Sequence, residues 1–173
     1  MARTTAGFRF VKTLNGSPPT MIVARFTPAS ATAYYDGNVI RVGATGLHHK
    51  VAEAGTEVLG VLSQDIAKGT ATTDALLYAA DTNNVFETKM IYARAVAPRG
   101  YQGQNLDIDI GSVYNYRVAT AAANNAGGLT GSGQCTIIGA HPDDIDLTST
   151  ANLRYWIVFQ DRTSQLHNAG KHV

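Results

Sequence analysis

The chain has little charge and a single cysteine. Only 16% of its 173 residues are charged, against about 25% in an average globular domain, and the formal net charge is +1. We find no dense cluster of Lys and Arg, so we expect no direct binding to nucleic acid. Cys135 cannot form an intramolecular disulfide, and a chain of this length buries a core without one.

Long hydrophobic runs are also missing. No stretch approaches the roughly 20 apolar residues that span a bilayer, and the segment from Met1 to Asn15 lacks the apolar run of a cleavable signal. We therefore expect neither a membrane span nor secretion by a cleavable signal. The motifs of serine hydrolases, P-loop proteins and dinucleotide-binding enzymes are absent from the sequence. The chain is thus predicted to have no catalytic and no cofactor-binding residues, and to be no enzyme.

The sequence does contain many short runs of β-branched and aromatic residues, separated by turn formers at intervals too short for helices. This spacing predicts an all-β fold, either a barrel or a jelly-roll-like β-sandwich. The predicted strands are 21–26, 38–42, 47–52, 58–63, 75–80, 85–97, 107–110, 113–119, 134–139 and 154–160. Gly60 is expected to allow close approach of neighbouring backbones.

Two proline residues divide an N-terminal segment from the rest. Residues 1–19 end on Gly16-Ser17-Pro18-Pro19 and are predicted to form an extended arm, followed by a β-rich domain over residues 20–173. A seam at 97–103, marked by Pro98-Arg99-Gly100, either divides two sub-barrels or is a long loop.

In an extended arm, Phe8 and Phe10 lie on one face while Arg9 and Val11 lie on the other, as in a strand that adds to the exposed edge of a neighbouring subunit. The arm's expected contacts with another protein come from five residues: Phe8, Arg9, Phe10, Val11 and Lys12. A first strand of the protein's own barrel and a disordered terminus are the competing interpretations.

The sequence contains several groups of possible metal ligands, and none of them is predicted to bind a metal. His48 and His49, with Glu53 nearby, point to opposite faces of a strand. The loop from His141 to Asp146 lacks the glycine and distal glutamate of an EF-hand. Asp107 and Asp109 alternate with isoleucines, which favours a strand, and Cys135 lies in an apolar run typical of a buried, inert thiol.

Tyr34 and Tyr35 are adjacent, and neighbouring side chains of a strand point to opposite faces. One ring is therefore expected to be exposed. Both residues are candidates for contacts with a partner or with another copy of the chain.

Four segments carry a likeness to a known family: Gly37 to Val42, Glu57 to Gly69, Leu76 to Asp81 and Asn84 to Lys89. Their pattern of strands and turns resembles the capsid decoration, or cement, proteins of tailed bacteriophages, with a weaker echo at residues 109–114. The likeness covers less than half of the chain. It implies a barrel or tulip-like fold, a homotrimer on the outer surface of the virion head, and the major capsid protein as partner.

Two functions are therefore expected. The first is decoration of a phage head, in which the protein clamps neighbouring major capsid subunits. The alternative is a β-sandwich binding module of the phage tail or adsorption apparatus, with Tyr34, Tyr35 and the acidic loop at residues 143–146 as its ligand face. Copy number on the particle distinguishes the two.

Overall fold

The computed structural model describes residues 7–26, 33–42, 48–50, 57–69, 71–89, 102–110, 116–119, 133–144, 153–161, 164 and 166. Their secondary structure is almost entirely β, with one 3-10 helix at Pro142–Asp144. The strands are β1 (Arg9–Thr13), β2 (Met21–Phe26), β3 (Val39–Val42), β4 (His48–Lys50), β5 (Gly60–Leu62), β6 (Thr73–Ala79), β7 (Asn84–Lys89), β8 (Asn105–Ile110), β9 (Tyr116–Ala119), β10 (Cys135–Ala140) and β11 (Arg154–Phe159). No helix in this described part is long and apolar enough to cross a membrane.

The strands form two antiparallel sheets, and the predicted all-β sandwich is confirmed. One sheet has six strands in the order β1-β7-β11-β10-β8-β9, and the other has five in the order β2-β6-β5-β3-β4. Both sheets are curved. Strands β2 and β4 lie at opposite ends of the five-stranded sheet, yet their Cα atoms come within 8 Å of each other. In the six-stranded sheet, Cα atoms of β7 and β9 also come within 8 Å of each other, although three strands lie between them. The long strand predicted at 85–97 ends at Lys89 in the described residues, and most of the predicted seam lies outside them.

The main core lies between the two sheets. The six-stranded sheet contributes alternate residues of β10 and β11, which is the period expected of a strand with one buried face. The five-stranded sheet contributes Val39 and Val61. The members of this core are Phe8, Val39, Val58, Val61, Ala80, Phe86, Ile108, Cys135, Ile137, Leu153, Tyr155, Ile157 and Phe159.

A second core lies on the other face of the five-stranded sheet. It contains Ala24, Phe26, Tyr34, Ile40, Leu62, Ile66, Ala75 and Leu77. Strand β5 thus buries side chains on both faces, which fits its continuous apolar sequence, whereas β6 buries Ala75, Leu77 and Ala79 on one face and leaves Leu76 on the other face exposed. Gly60 confirms the expected close approach, since a Cβ atom there would lie 2.5 Å from the Tyr78 carbonyl oxygen.

The prediction of a free N-terminal arm is wrong for the described part of that segment. Residues Arg9–Thr13 form β1, which pairs with β7 along the edge of the six-stranded sheet. Phe8 is 2% exposed and stacks on Phe159 at 5.7 Å between ring centroids, while Phe10 stacks on Tyr78 at 4.6 Å. The face that carries Phe8 and Phe10 therefore covers the protein's own core instead of a neighbouring subunit.

Candidate interaction surfaces

The outward face of the six-stranded sheet gathers charged and aromatic side chains. Strand register places Arg9, Glu87, Trp156 and Gly139 in one row across β1, β7, β11 and β10. These positions alternate with the buried residues of the same strands, so they share the face opposite the core. We call this surface the tryptophan face; it comprises Arg9, Lys12, Glu87, Gly139, His141, Asp143, Arg154 and Trp156.

Glu87 is the centre of the charged contacts on the tryptophan face. Its Oε2 accepts a hydrogen bond from Arg9 Nη2 at 3.1 Å and lies 3.4 Å from His141 Nε2. The backbone N–H of Asp143 donates to His141 Nδ1 at 3.2 Å. Nδ1 therefore acts as an acceptor, which places the proton of a neutral imidazole on Nε2, facing Glu87. The carboxylate is largely enclosed, with a side-chain exposure of 12%.

The indole ring of Trp156 makes a cation–π contact with Lys12. The Lys12 ammonium lies 4.8 Å from the indole centroid, and His141 approaches edge-on with the two ring centroids 6.2 Å apart. On the next strand stands Gly139, where an added Cβ atom would meet no heavy atom within 4 Å. The indole therefore lies beside an open position on the sheet. Tryptophan, tyrosine and arginine are enriched at energetically important protein contacts.

The acidic turn at the margin of this face is held by Arg154. Its Nε donates to Asp144 Oδ2 at 3.0 Å, its Nη2 donates to Asp144 Oδ1 at 2.8 Å, and its backbone N–H donates to Oδ2 at 2.8 Å. Asp143 Oδ2 accepts a further bond from Nη2 at 3.2 Å. The hydrogen bonds that the Arg154 side chain donates to Asp144 lower the pKa of the Asp144 carboxyl group and raise the pKa of the Arg154 guanidinium group.

Of the five residues predicted to contact a partner, the structure buries some and exposes others. Phe8 is buried and Phe10 is half-buried against the core, so neither offers its ring freely at the surface. Arg9 and Lys12 are exposed on the tryptophan face. Val11 is the extra residue of a β-bulge, because Phe10 pairs with Phe86 and Lys12 with the adjacent Val85. The bulge places Lys12 outward, a shift that simple alternation does not foresee.

Tyr34 and Tyr35 point in different directions, as expected of adjacent residues. Tyr34 is 6% exposed, packs edge-on against Phe26 at 5.2 Å, and exchanges two backbone hydrogen bonds with Ile66. Burial raises the pKa of its hydroxyl group. Tyr35 is 39% exposed. Of the pair, Tyr35 is the ring that a second copy or a partner can reach, and its role in a trimer stays a prediction.

The other candidate ligands have ordinary structural positions. His48 and His49 lie in β4, and Asp107 and Asp109 lie in β8, the strand expected from their alternation with isoleucine. Cys135 is fully buried in β10. Among the described residues, no three His, Cys, Asp or Glu side chains are grouped so that they could hold a metal. Glu53 and Asp146 lie outside those residues.

A second exposed surface is apolar, and it is not among the surfaces predicted from the sequence. Met21, Val23 and Leu76 are 37%, 70% and 42% exposed, and Val23 pairs directly with Leu76 across β2 and β6. They share a face with Tyr78, which packs on Phe10 toward the other sheet. We call these three residues the β2 patch. Its only sequence signal is that Met21, Ile22, Val23 and Ala24 are apolar on both faces of the strand.

No protein-family model matches this chain, and no curated protein is significantly similar to it. Its function is therefore inferred from these two surfaces and from the pattern of strands and turns.

Proposed function

We propose that this protein is a virion structural protein that decorates the outside of a phage head and stabilises it by clamping neighbouring major capsid subunits. The observation that carries the proposal is the tryptophan face. In a chain with 16% charged residues, three cations, two carboxylates, an imidazole and an indole are collected on one side of one sheet. The strand and turn pattern that resembles cement proteins supplies the context.

The tryptophan face is suited to binding a protein surface because its side chains are already fixed. Glu87 holds Arg9 and His141, and Arg154 is held by both Asp143 and Asp144. Ordering such side chains during association costs about 0.5–1.5 kcal/mol for each one. Contacts within the free protein remove part of that cost. A modest affinity per copy is enough if several linked copies bind the same shell, because linkage raises the effective concentration.

The proposed role is structural and requires no catalytic residue and no cofactor. The partners are the major capsid protein and further copies of this chain, as a homotrimer at three-fold positions of the shell. Tyr35, the exposed member of the tyrosine pair, is the candidate for the contact between copies.

The alternative, a binding module of the tail or adsorption apparatus, is weakened by the positions of its expected ligand groups. Tyr34 is buried in the second core. Both carboxylate oxygens of Asp144 are engaged by Arg154. Tyr34 and Asp144 are both buried, whereas Arg9 and Lys12 of the tryptophan face are exposed.

Binding to heads that lack this protein tests the proposal. Lys12→Glu reverses the charge over Trp156, and Lys68→Glu makes the same change in an exposed turn away from the tryptophan face. We expect Lys12→Glu to weaken binding about tenfold or more, equivalent to about 1.4 kcal/mol, while Lys68→Glu binds as the unaltered protein does. Circular dichroism shows that both variants are folded. Equal binding by the two variants would contradict the proposal.

A further inference from the structure

The turn between β1 and β2 contains the only Asn-Gly pair of the chain, Asn15-Gly16. Both residues are exposed, and Gly16 has a φ of 72°. An asparagine amide converts to a carboxyl group when the backbone nitrogen of the next residue attacks its side-chain carbonyl carbon and water then opens the product. A glycine at that next position leaves the approach open, because it has no Cβ atom. The pair therefore has both an accessible nucleophile and access to water.

Hydrogen bonds on both sides of the pair fix the turn. The backbone N–H of Leu14 donates to the Asn83 carbonyl at 2.9 Å, and that of Asn15 donates to Asn83 Oδ1 at 3.2 Å. On the other side of the pair, Thr13 Oγ1 donates to the Ser17 carbonyl. The backbone that carries the Asn15 side chain is thus held in place, and its position relative to Ser17 is set by the fold.

Two donors of Ser17 meet the oxygen atom of the Asn15 side chain. The backbone N–H of Ser17 donates to Asn15 Oδ1 at 3.0 Å, and its hydroxyl group donates to the same oxygen at 2.6 Å. The hydroxyl group also lies 3.3 Å from the Pro18 carbonyl, the longer of its two contacts. Negative charge develops on Oδ1 when a nucleophile attacks the amide, and hydrogen bonds to an oxyanion are stronger than those to a neutral amide. Donors already aimed at that atom therefore favour the attack.

We propose that the chain deamidates itself at Asn15, with the Ser17 donors stabilising the oxyanion. The Gly16 nitrogen gives its proton to water and bonds to Asn15 Cγ. The bond between Cγ and the side-chain nitrogen then breaks, and that nitrogen takes up a proton from water and leaves as ammonia. One water molecule opens the resulting five-membered imide at either of its two carbonyl carbons. One opening gives aspartate, and the other gives isoaspartate, in which the main chain runs through the former side chain. Water is the only co-reactant.

The two products differ in their effect on the fold. Aspartate keeps the backbone of the turn and still offers oxygen atoms to both donors of Ser17. Isoaspartate lengthens the main chain by one carbon atom, in the turn that connects β1 of one sheet to β2 of the other. We expect it to loosen the end of β1, the strand that carries Arg9 and Lys12 of the tryptophan face. This inference goes beyond the proposed function and does not rest on it.

Incubation of the purified full-length protein at mildly alkaline pH, followed by peptide mass spectrometry, tests the site without any capsid. We expect the peptide that contains Asn15 to gain the mass difference between an amide and a carboxyl group. Peptides that contain the buried Asn38 and Asn84 should keep their amides over the same time. Enzymatic methylation of isoaspartate should label the Asn15 peptide alone among these. The conversion should be faster at higher pH, because the Gly16 nitrogen attacks after it has lost its proton.

Two serine variants test the role of the donors. Ser17→Ala removes the hydroxyl donor and keeps the backbone N–H, so conversion of the folded protein should slow about two- to tenfold, the range that one hydrogen bond accounts for. Ser63→Ala removes a hydroxyl group that donates to the Leu76 carbonyl instead, and it should convert at the rate of the unaltered protein. Circular dichroism shows that both variants are folded.

Unfolding separates the effect of the fold from that of the local sequence. In urea, Ser17→Ala and the unaltered protein should convert at the same rate, because the Ser17 donors are no longer held against Asn15. Three results would overturn the proposal: equal rates for these two proteins when folded, a Ser17→Ala effect that persists undiminished in urea, or an Asn15 amide that converts only in the unfolded protein.

Discussion

Arg154 and Asp144 form a two-point ion pair that ties the 3-10 turn to the start of β11, with N···O distances of 2.8 and 3.0 Å. The Arg154 backbone N–H adds a third bond to the same carboxylate. Asp144 is 7% exposed, so little water competes for these bonds. The backbone N–H of Asp144 also donates to the His141 carbonyl at 2.9 Å, which links this pair to the histidine beside Glu87.

Replacing Asp144 by Asn should lower the free energy of unfolding by about 1–3 kcal/mol, the usual cost of losing charge-assisted bonds at an enclosed site. Urea denaturation followed by circular dichroism measures the change. Asp143→Asn is the matched control, because the Asp143 side chain is 73% exposed and contributes one bond to Arg154. We expect its effect to be below about 1 kcal/mol. If the two variants lost the same free energy of unfolding, the two hydrogen bonds from the Arg154 side chain to Asp144 would contribute no more than the single bond to Asp143.

The same pair predicts how stability depends on pH. Hydrogen bonding from Arg154 lowers the pKa of Asp144 in the folded protein. Its contribution is therefore fully present above the unfolded-state pKa of about 3.9 and is lost as the pH falls through the lower folded-state value. The difference in Tm between the unaltered protein and Asp144→Asn should be constant from pH 7 to about pH 4 and should shrink below that. A difference that already shrinks between pH 7 and pH 5 contradicts this assignment.

Two strand glycines should respond in opposite ways to alanine. At Gly60 a Cβ atom would lie 2.5 Å from the Tyr78 carbonyl oxygen and 3.1 Å from Leu77 Cβ. We expect Gly60→Ala to cost about 1–3 kcal/mol, as overpacked sites do. At Gly139 nothing lies within 4 Å, so Gly139→Ala should leave the unfolding free energy unchanged or raise it by about 0.5 kcal/mol. Thermal denaturation of both variants distinguishes the sites, and a harmless Gly60→Ala would show that β5 and β6 are less closely packed.

Deleting residues 1–17 should abolish folding and, with it, any binding. The deletion removes β1 and the buried Phe8, and with it the ring contact to Phe159. Losing a buried phenylalanine alone costs about 3–5 kcal/mol, a large share of a typical domain's stability. Circular dichroism of the truncated protein measures the effect. A truncated protein that folds but no longer binds would contradict this account and would support an N-terminal arm that contacts another protein.

Local patterns in the sequence predicted much of this fold. The alternation at Tyr34 and Tyr35, the isoleucines of β8 and the close approach at Gly60 each depend on neighbouring residues, and each could be read directly. The strand with which β1 pairs could not be predicted from the sequence, because the same pattern of residues results whether the apolar face of a strand covers its own core or that of a neighbouring subunit. Nor could the tryptophan face, since Arg9, Glu87 and Trp156 meet through strand register between distant parts of the chain.

A reconstruction of the virion with this protein bound tests the central claim most directly. We expect many copies distributed over the head, grouped around three-fold positions, with Lys12 and Trp156 facing a major capsid subunit. Density for this protein confined to the tail, or copies on the head whose tryptophan face points into solvent, would contradict the account.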